Sequence, residues 1–159
     1  MKDQARTPPT APWEMPRFRN WIAVAKVHLL VEKAMTQGLS PLDLKLPHYD
    51  ILANVYRFPE MTQQELADRL LVGRSNLSML LPELEERGLV ERILDGQDRR
   101  VRRLRLTDKG LALTQQALAV QVRVIEEMML ALSDEECDQL GDAMRRVGQH
   151  MTQGLKPIA

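Results

Sequence analysis

Between Arg92 and Arg105 the chain carries six arginines, Arg92, Arg99, Arg100, Arg102, Arg103 and Arg105, against two acidic residues, Asp95 and Asp98. Guanidinium groups are planar, permanently charged and forked, which suits phosphate oxygens and narrow, electronegative grooves. A second group lies just upstream: Arg74, Ser75, Asn76, Ser78 and Met79. Short donors and acceptors at a helix tip can reach base edges in a major groove, and Met79 suits a thymine methyl. The two groups together are the chemistry of a double grip on duplex nucleic acid. Part of the arginine content has a plainer cause. Arg103 and Arg105 alternate with Leu104 and Leu106, as the solvent side of any strand would. Packing gives no such reason for Arg99 and Arg100.

The elements that must carry these groups are legible. Thr62 and Glu65 have the Thr-x-x-Glu spacing of a capping box, and Leu66, Ala67 and Leu70 then form an apolar stripe. A longer helix opens at Gly73 or Arg74, with Leu77, Leu80, Leu81 and Leu84 facing a core. Gly88 is placed to end it in the left-handed conformation, with Leu89 as the apolar follower. Two short strands come next, around a turn at Asp95-Gly96-Gln97-Asp98. Helix, turn, helix, hairpin is the order of a winged helix-turn-helix.

These residues resemble the MarR family of bacterial transcription regulators. The matching pieces are TQQELADRL, the ELEERGLVER junction, the wing DGQDRR and the LTDKG that opens the next helix. The family's Asp-x-Arg at the wing falls on Asp98 and Arg100. The resemblance implies a homodimer that binds palindromic double-stranded DNA and often answers to a small molecule or an oxidant. It also implies that Asp98 orients the wing arginine.

The resulting expectation is a mainly α fold with a small β-hairpin wing. Residues 1–16 form a flexible arm, 39–110 the DNA-binding module, and 17–38 with 111–155 the dimerisation helices. The chain has 159 residues, 44% hydrophobic and 28% charged, an ordinary balance for one compact domain with an extension. No apolar run reaches membrane length, and the first residues lack a signal-peptide core. A single cysteine fits a reducing compartment, so a cytoplasmic protein is expected. Net charge is zero and the pI is 6.8. Basic residues crowd the hairpin, whereas Glu126, Glu127, Asp134, Glu135, Glu136, Asp138 and Asp142 make the C-terminal region acidic. A neutral molecule can therefore still present a basic face.

In chain order, TPPTAP and Pro16 preclude a regular helix at the start, and Trp13 there suits a contact with a partner subunit or its own. Phe18, Trp21, Ile22, Ala25 and Leu29 predict a helix to about Gln37, ended by Gly38. Pro47 to Phe58 is the next, with Tyr49, Leu52, Ala53 and Tyr56 on one side. Thr107 caps a long helix in whose first turn Gly110 costs little. Leu118, Val122, Ile125, Met129 and Leu132 form a heptad seam along it. Ser133 and Glu136 form a second capping box, and Cys137, Leu140, Met144, Val147 and Met151 continue a seam. A small winged helix cannot cover both seams, so a second chain is expected to do so.

Pro82 inside the recognition helix removes the hydrogen bond to the Ser78 carbonyl, so a kink or an early end is expected. Cys137 is ringed by carboxylates, which oppose a thiolate, and it is read as structural. His28, His48 and His150 have no metal-ligand spacing, and no metal or cofactor is called for. In the family, the helices carrying His28 and His48 flank a ligand cleft. Arg17, His28, His48 and Tyr49 are therefore candidate ligands for a small aromatic or phenolic effector that frees a repressor from DNA. No phosphate loop, nucleophile elbow or nucleophile–base pair marks an enzyme. A different reading of the same fold is a winged-helix protein-interaction module whose acidic helices are the working surface.

Overall fold

The structure, a computed structural model, describes residues 11–70, 74–96 and 101–154, the side chains of residues 74–76 and 154 excepted. Its helices are α1 (Phe18–Leu39), α2 (Leu46–Arg57), α3 (Gln63–Leu70), α4 (Arg74–Glu86), α5 (Asp108–Met129) and α6 (Asp134–Gly154). Strands β1 (Val90–Leu94) and β2 (Arg102–Leu106) form one antiparallel ribbon. The expected mainly helical fold with a hairpin wing is what is found.

Local chemistry sets most boundaries. At the start of α3, the Thr62 hydroxyl accepts from the Glu65 amide at 3.1 Å, and the Thr62 amide donates to the Glu65 carboxylate at 2.7 Å. The same exchange opens α6, with Ser133 N–H on Glu136 at 2.8 Å. Each bond holds its carboxyl below the usual carboxylate range, the backbone donor acting most. Gly88 takes φ +65°, and the Leu89 amide returns to the Leu84 carbonyl at 2.9 Å, closing α4 as expected. Helix α4 runs through Pro82 to Glu86 without ending early.

The core lies between α2, α3, α4 and the base of the ribbon, joined by the end of α1 and the first half of α5. Leu39, Ile51, Leu52, Leu66, Leu77, Leu81, Leu84 and Leu104 are fully buried there. Removing each such side chain from water contributes roughly 1.5–3 kcal/mol. The inner face of α2 is His48, Tyr49, Ile51, Leu52 and Val55; Tyr49 and Leu52 are buried as expected, whereas Tyr56 is exposed.

Two glycines act differently from expectation. Gly38 does not end α1 but is its penultimate residue, and a Cβ there would overlap Val120 Cγ1. Its bareness lets α1 and α5 close on each other. Gly110 is not merely tolerated in the first turn of α5. A Cβ would collide with the Leu89 carbonyl oxygen, to which Thr107 N–H also donates at 3.2 Å. The inward face of α5 is Gly110, Thr114, Ala117 and Val120, with Thr114 Oγ donating to the Gly110 carbonyl at 2.6 Å.

The heptad seam of α5 is divided: Val122 and Ile125 are about half exposed, Met129 and Leu132 are partly buried, and Leu118 packs against the core. Among the described residues of α6 none is buried, and α6 packs substantially against no other element. Its seam of Leu140, Met144, Val147 and Met151 is exposed, as are Trp21, Val24, Leu29 and Leu30 of α1. Ahead of α1, Pro12–Glu14 form a 3₁₀ turn closed by Ala11 N–H on the Glu14 carboxylate at 3.2 Å, and Trp13 is exposed. Cys137 is half-buried, its sulfur 3.7 Å from Met129 Sδ. Among the described residues no helix is long and apolar enough to cross a membrane.

Candidate nucleic-acid interface

The amphipathic pattern of α4 fixes which residues it offers outward. Leu77, Leu81 and Leu84 are fully buried, which turns Ser78 and Met79 to solvent, Met79 at 78% exposure. A bare thioether at that exposure gains nothing from the fold and is free for contact. Ser78 Oγ accepts a hydrogen bond from Gln63 Nε2 at 3.2 Å, leaving its proton available for an acceptor. Backbone residues Arg74, Ser75 and Asn76 form the first turn of α4. Their side chains lie outside the described residues, as do Asp98, Arg99 and Arg100 altogether.

The ribbon pairs Val90 with Leu106, Arg92 with Leu104 and Leu94 with Arg102. This register buries Leu104 and sorts the arginines. Arg92 Nη2 holds Glu85 of α4 at 2.8 Å, and Arg105 Nε holds Glu91 across the ribbon at 2.7 Å. Arg103 Nε pairs with Asp95, while its Nη1 donates to the Glu60 carbonyl at 2.9 Å. The bond to Asp95 holds this guanidinium above its ordinary pKa. Arg102 is exposed and, among the described residues, makes no ion pair. Thus Arg92, Arg103 and Arg105 already have partners within the fold, and Arg102 is the described ribbon arginine left open to an outside anion.

Spacing does not single out Gln63, and it accounts for Arg103 only as the solvent side of a strand. Gln63 follows the cap residue Thr62, and a long amide at a helix start facing the next helix is the signal that was available. Nothing local marks the Arg103–Glu60 contact, because 43 residues separate the two.

The candidate ligand residues are scattered. Arg17 and His28 are exposed at and along α1, His28 Nε2 standing 3.6 Å from Glu32. His48 is fully buried, with Nε2 3.4 Å from the Glu83 carboxylate and neither ring nitrogen hydrogen-bonded. Burial is the main cause that lowers its pKa, against the raising effect of Glu83, and Lys45 and Arg87 lower it further. Glu83 also takes Lys45 Nζ at 3.2 Å, which holds its carboxyl low. Buried Tyr49 turns away to donate its hydroxyl to Gln121 Oε1 at 2.6 Å, and burial pushes its pKa up to about 12. None of the four lines an apolar groove of about 540 Å³ between α1 and α5.

A three-helix core with α3 and α4 in a helix-turn-helix, followed directly by a two-stranded ribbon, defines a winged helix-turn-helix protein. Residues 42–101 match the model of the MarR family. The chain resembles a mutant of E. coli MarR, solved complexed with operator DNA. Identity is 25% over 84% of this chain and 94% of that one, at a TM-score of 0.75. It is similar to the transcriptional repressor CouR, solved bound to a 23-mer DNA duplex, at 25% identity over 91% and 99% of the two chains and a TM-score of 0.74. It shares the fold of S. aureus MepR, solved as a DNA complex, at 22% identity, 80% and 95% coverage and a TM-score of 0.76. The likeness to MarR-family transcription regulators thus rests on the winged helix-turn-helix segment and on the shared fold.

Proposed function

We propose that the protein is a homodimeric, sequence-specific DNA-binding repressor of the MarR type. The observation that carries this reading is the outward turn of Ser78 and Met79 on α4 beside a ribbon with Arg102 open at its far end. Residues 39–110 act as the DNA-binding module. Arg74, Ser75, Asn76, Ser78 and Met79 enter a major groove, and Arg99 and Arg100, oriented by Asp98, reach the adjacent minor groove. Residues 17–38 and 111–155 pair two subunits through the exposed seams of α1, α5 and α6, with residues 1–16 as an arm. Two half-sites of a palindrome then lie about one helical turn apart. The complexes of E. coli MarR and CouR with DNA support the docking mode.

Release comes from a small aromatic or phenolic effector in the groove between α1 and α5. Val27, Leu30, Val31 and Val124 supply its apolar wall and Arg123 a cation for an acidic group. Occupancy there changes the angle between the helices that hold the two reading heads apart.

The test is selection from a random-sequence duplex library, followed by titration over a range of salt. Tight retention of one palindrome, with affinity falling steeply as salt rises, is expected. Failure to retain any duplex at low ionic strength overturns the DNA reading. Calorimetric titration with aromatic acids checks the effector, and the absence of heat removes it.

A further inference from the structure

One side chain links the ribbon to the corner between α2 and α3. Arg103 is the second residue of β2, opposite Ile93. Its guanidinium uses one edge on Asp95, where the ribbon begins its turn, and the other on the Glu60 carbonyl between α2 and α3. Glu60 itself holds φ +61°, a left-handed conformation that a non-glycine residue avoids unless its surroundings impose it. Around this contact the backbones join as well: Thr62 bridges Arg103, and Leu104 N–H donates to the Met61 carbonyl at 2.9 Å. Thr62 is also the cap of α3, whose next residue, Gln63, reaches Ser78 on α4. A continuous polar path therefore runs from the start of the wing turn to the exposed face of α4.

We infer that Arg103 is a positioning residue: a strut that fixes the wing against the α2–α3 corner and so sets the span between wing and recognition helix. This rests on the DNA reading above and adds to it that one of the ribbon arginines serves geometry instead of contact. The forked guanidinium is required, because only a planar group with several fixed donors can serve the carboxylate and the carbonyl at once. With the strut cut, the wing still carries its charges but presents them at the wrong distance.

The experiment compares the full-length wild type with Arg103→Gln, Arg103→Lys and Arg102→Gln on the duplex that the wild type retains from a random-sequence library. Arg103→Gln is expected to bind about tenfold more weakly, with an unchanged slope of log affinity on log salt. Arg103→Lys keeps the charge but not the fork and shows a similar loss. Arg102→Gln instead lowers the salt slope by about one. A slope that falls by about one in Arg103→Gln, or full affinity in Arg103→Lys, overturns the proposal. The strut is also read without DNA, by amide hydrogen exchange at Leu104. In Arg103→Gln this amide is expected to exchange faster by about tenfold while the Leu52 amide of α2 stays protected. Unchanged exchange at Leu104 overturns the strut. A wild type that retains no duplex overturns the DNA reading instead, and the Leu104 amide then decides the strut alone.

Discussion

Gln63 Nε2 donates to Ser78 Oγ at 3.2 Å, so the first residue of α3 holds a hydroxyl on the outward face of α4. The bond uses an acceptor lone pair of the serine and leaves its proton to point outward. On the DNA reading proposed above, Gln63 would set how Ser78 meets a base without touching one itself. Gln63→Ala is expected to cost roughly 0.5–1.5 kcal/mol in binding to the selected duplex and less on unselected DNA. Ser78→Ala should cost a similar amount, and the double variant less than the sum. Strict additivity in this cycle, measured by fluorescence anisotropy, would show that the two side chains act separately.

His48 predicts a pH dependence of stability. Its folded pKa lies below the ordinary 6.5, so the unfolded chain binds the proton more readily. The contribution is present above pH 6.5 and declines as pH falls below it. His48→Leu, close in volume, should flatten the melting-temperature change between about pH 7 and pH 5 relative to wild type. Parallel curves for the two proteins would count against a neutral buried imidazole.

Gly110 and Gly88 should separate two reasons for being glycine. Gly110→Ala drives a methyl into the Leu89 carbonyl, a backbone atom that cannot turn aside, and should destabilise by about 3 kcal/mol or more. Gly88→Ala meets nothing within 4 Å and carries only the penalty of φ +65°, about 1 kcal/mol. Urea midpoints give the order, and an inverted order would refute the close approach of α5 to Leu89.

The exposed stripe of α6 is expected to be the surface that a second copy covers. Met144→Asp with Val147→Asp puts two carboxylates on that stripe, at positions now 39% and 53% exposed. Sedimentation should find mainly monomer at micromolar concentration, with little change in the melting of the winged-helix core. A dimer as tight as the wild type would place the interface elsewhere.

What could be read from residues alone follows the range of each interaction. Capping boxes at Thr62 and Ser133 and the left-handed Gly88 are decided within a few neighbours, and they appear as expected. Gly38 and Gly110 look like a helix end and a tolerated flaw until Val120 and Leu89 come into place beside them. The inward face of α5 was hidden because Thr114 and Ala117 are small, whereas the louder heptad of larger residues includes the half-exposed Val122 and Ile125. The alternation of Arg103 and Arg105 with Leu104 and Leu106 marks the second strand, as found. The division between struts and open cations depends on partners such as Glu60, Glu85 and Glu91 that no spacing rule selects.

Helix α6 spans Asp134–Gly154 with no buried residue described along it, so its turns are held mainly by their own weak cooperativity. An isolated stretch of that length stands near the balance between helix and coil in water. Dilution alone should therefore melt the last part of the chain before the rest. Far-ultraviolet ellipticity that declines with protein concentration would make this helix a gauge of how much of the protein a cell contains.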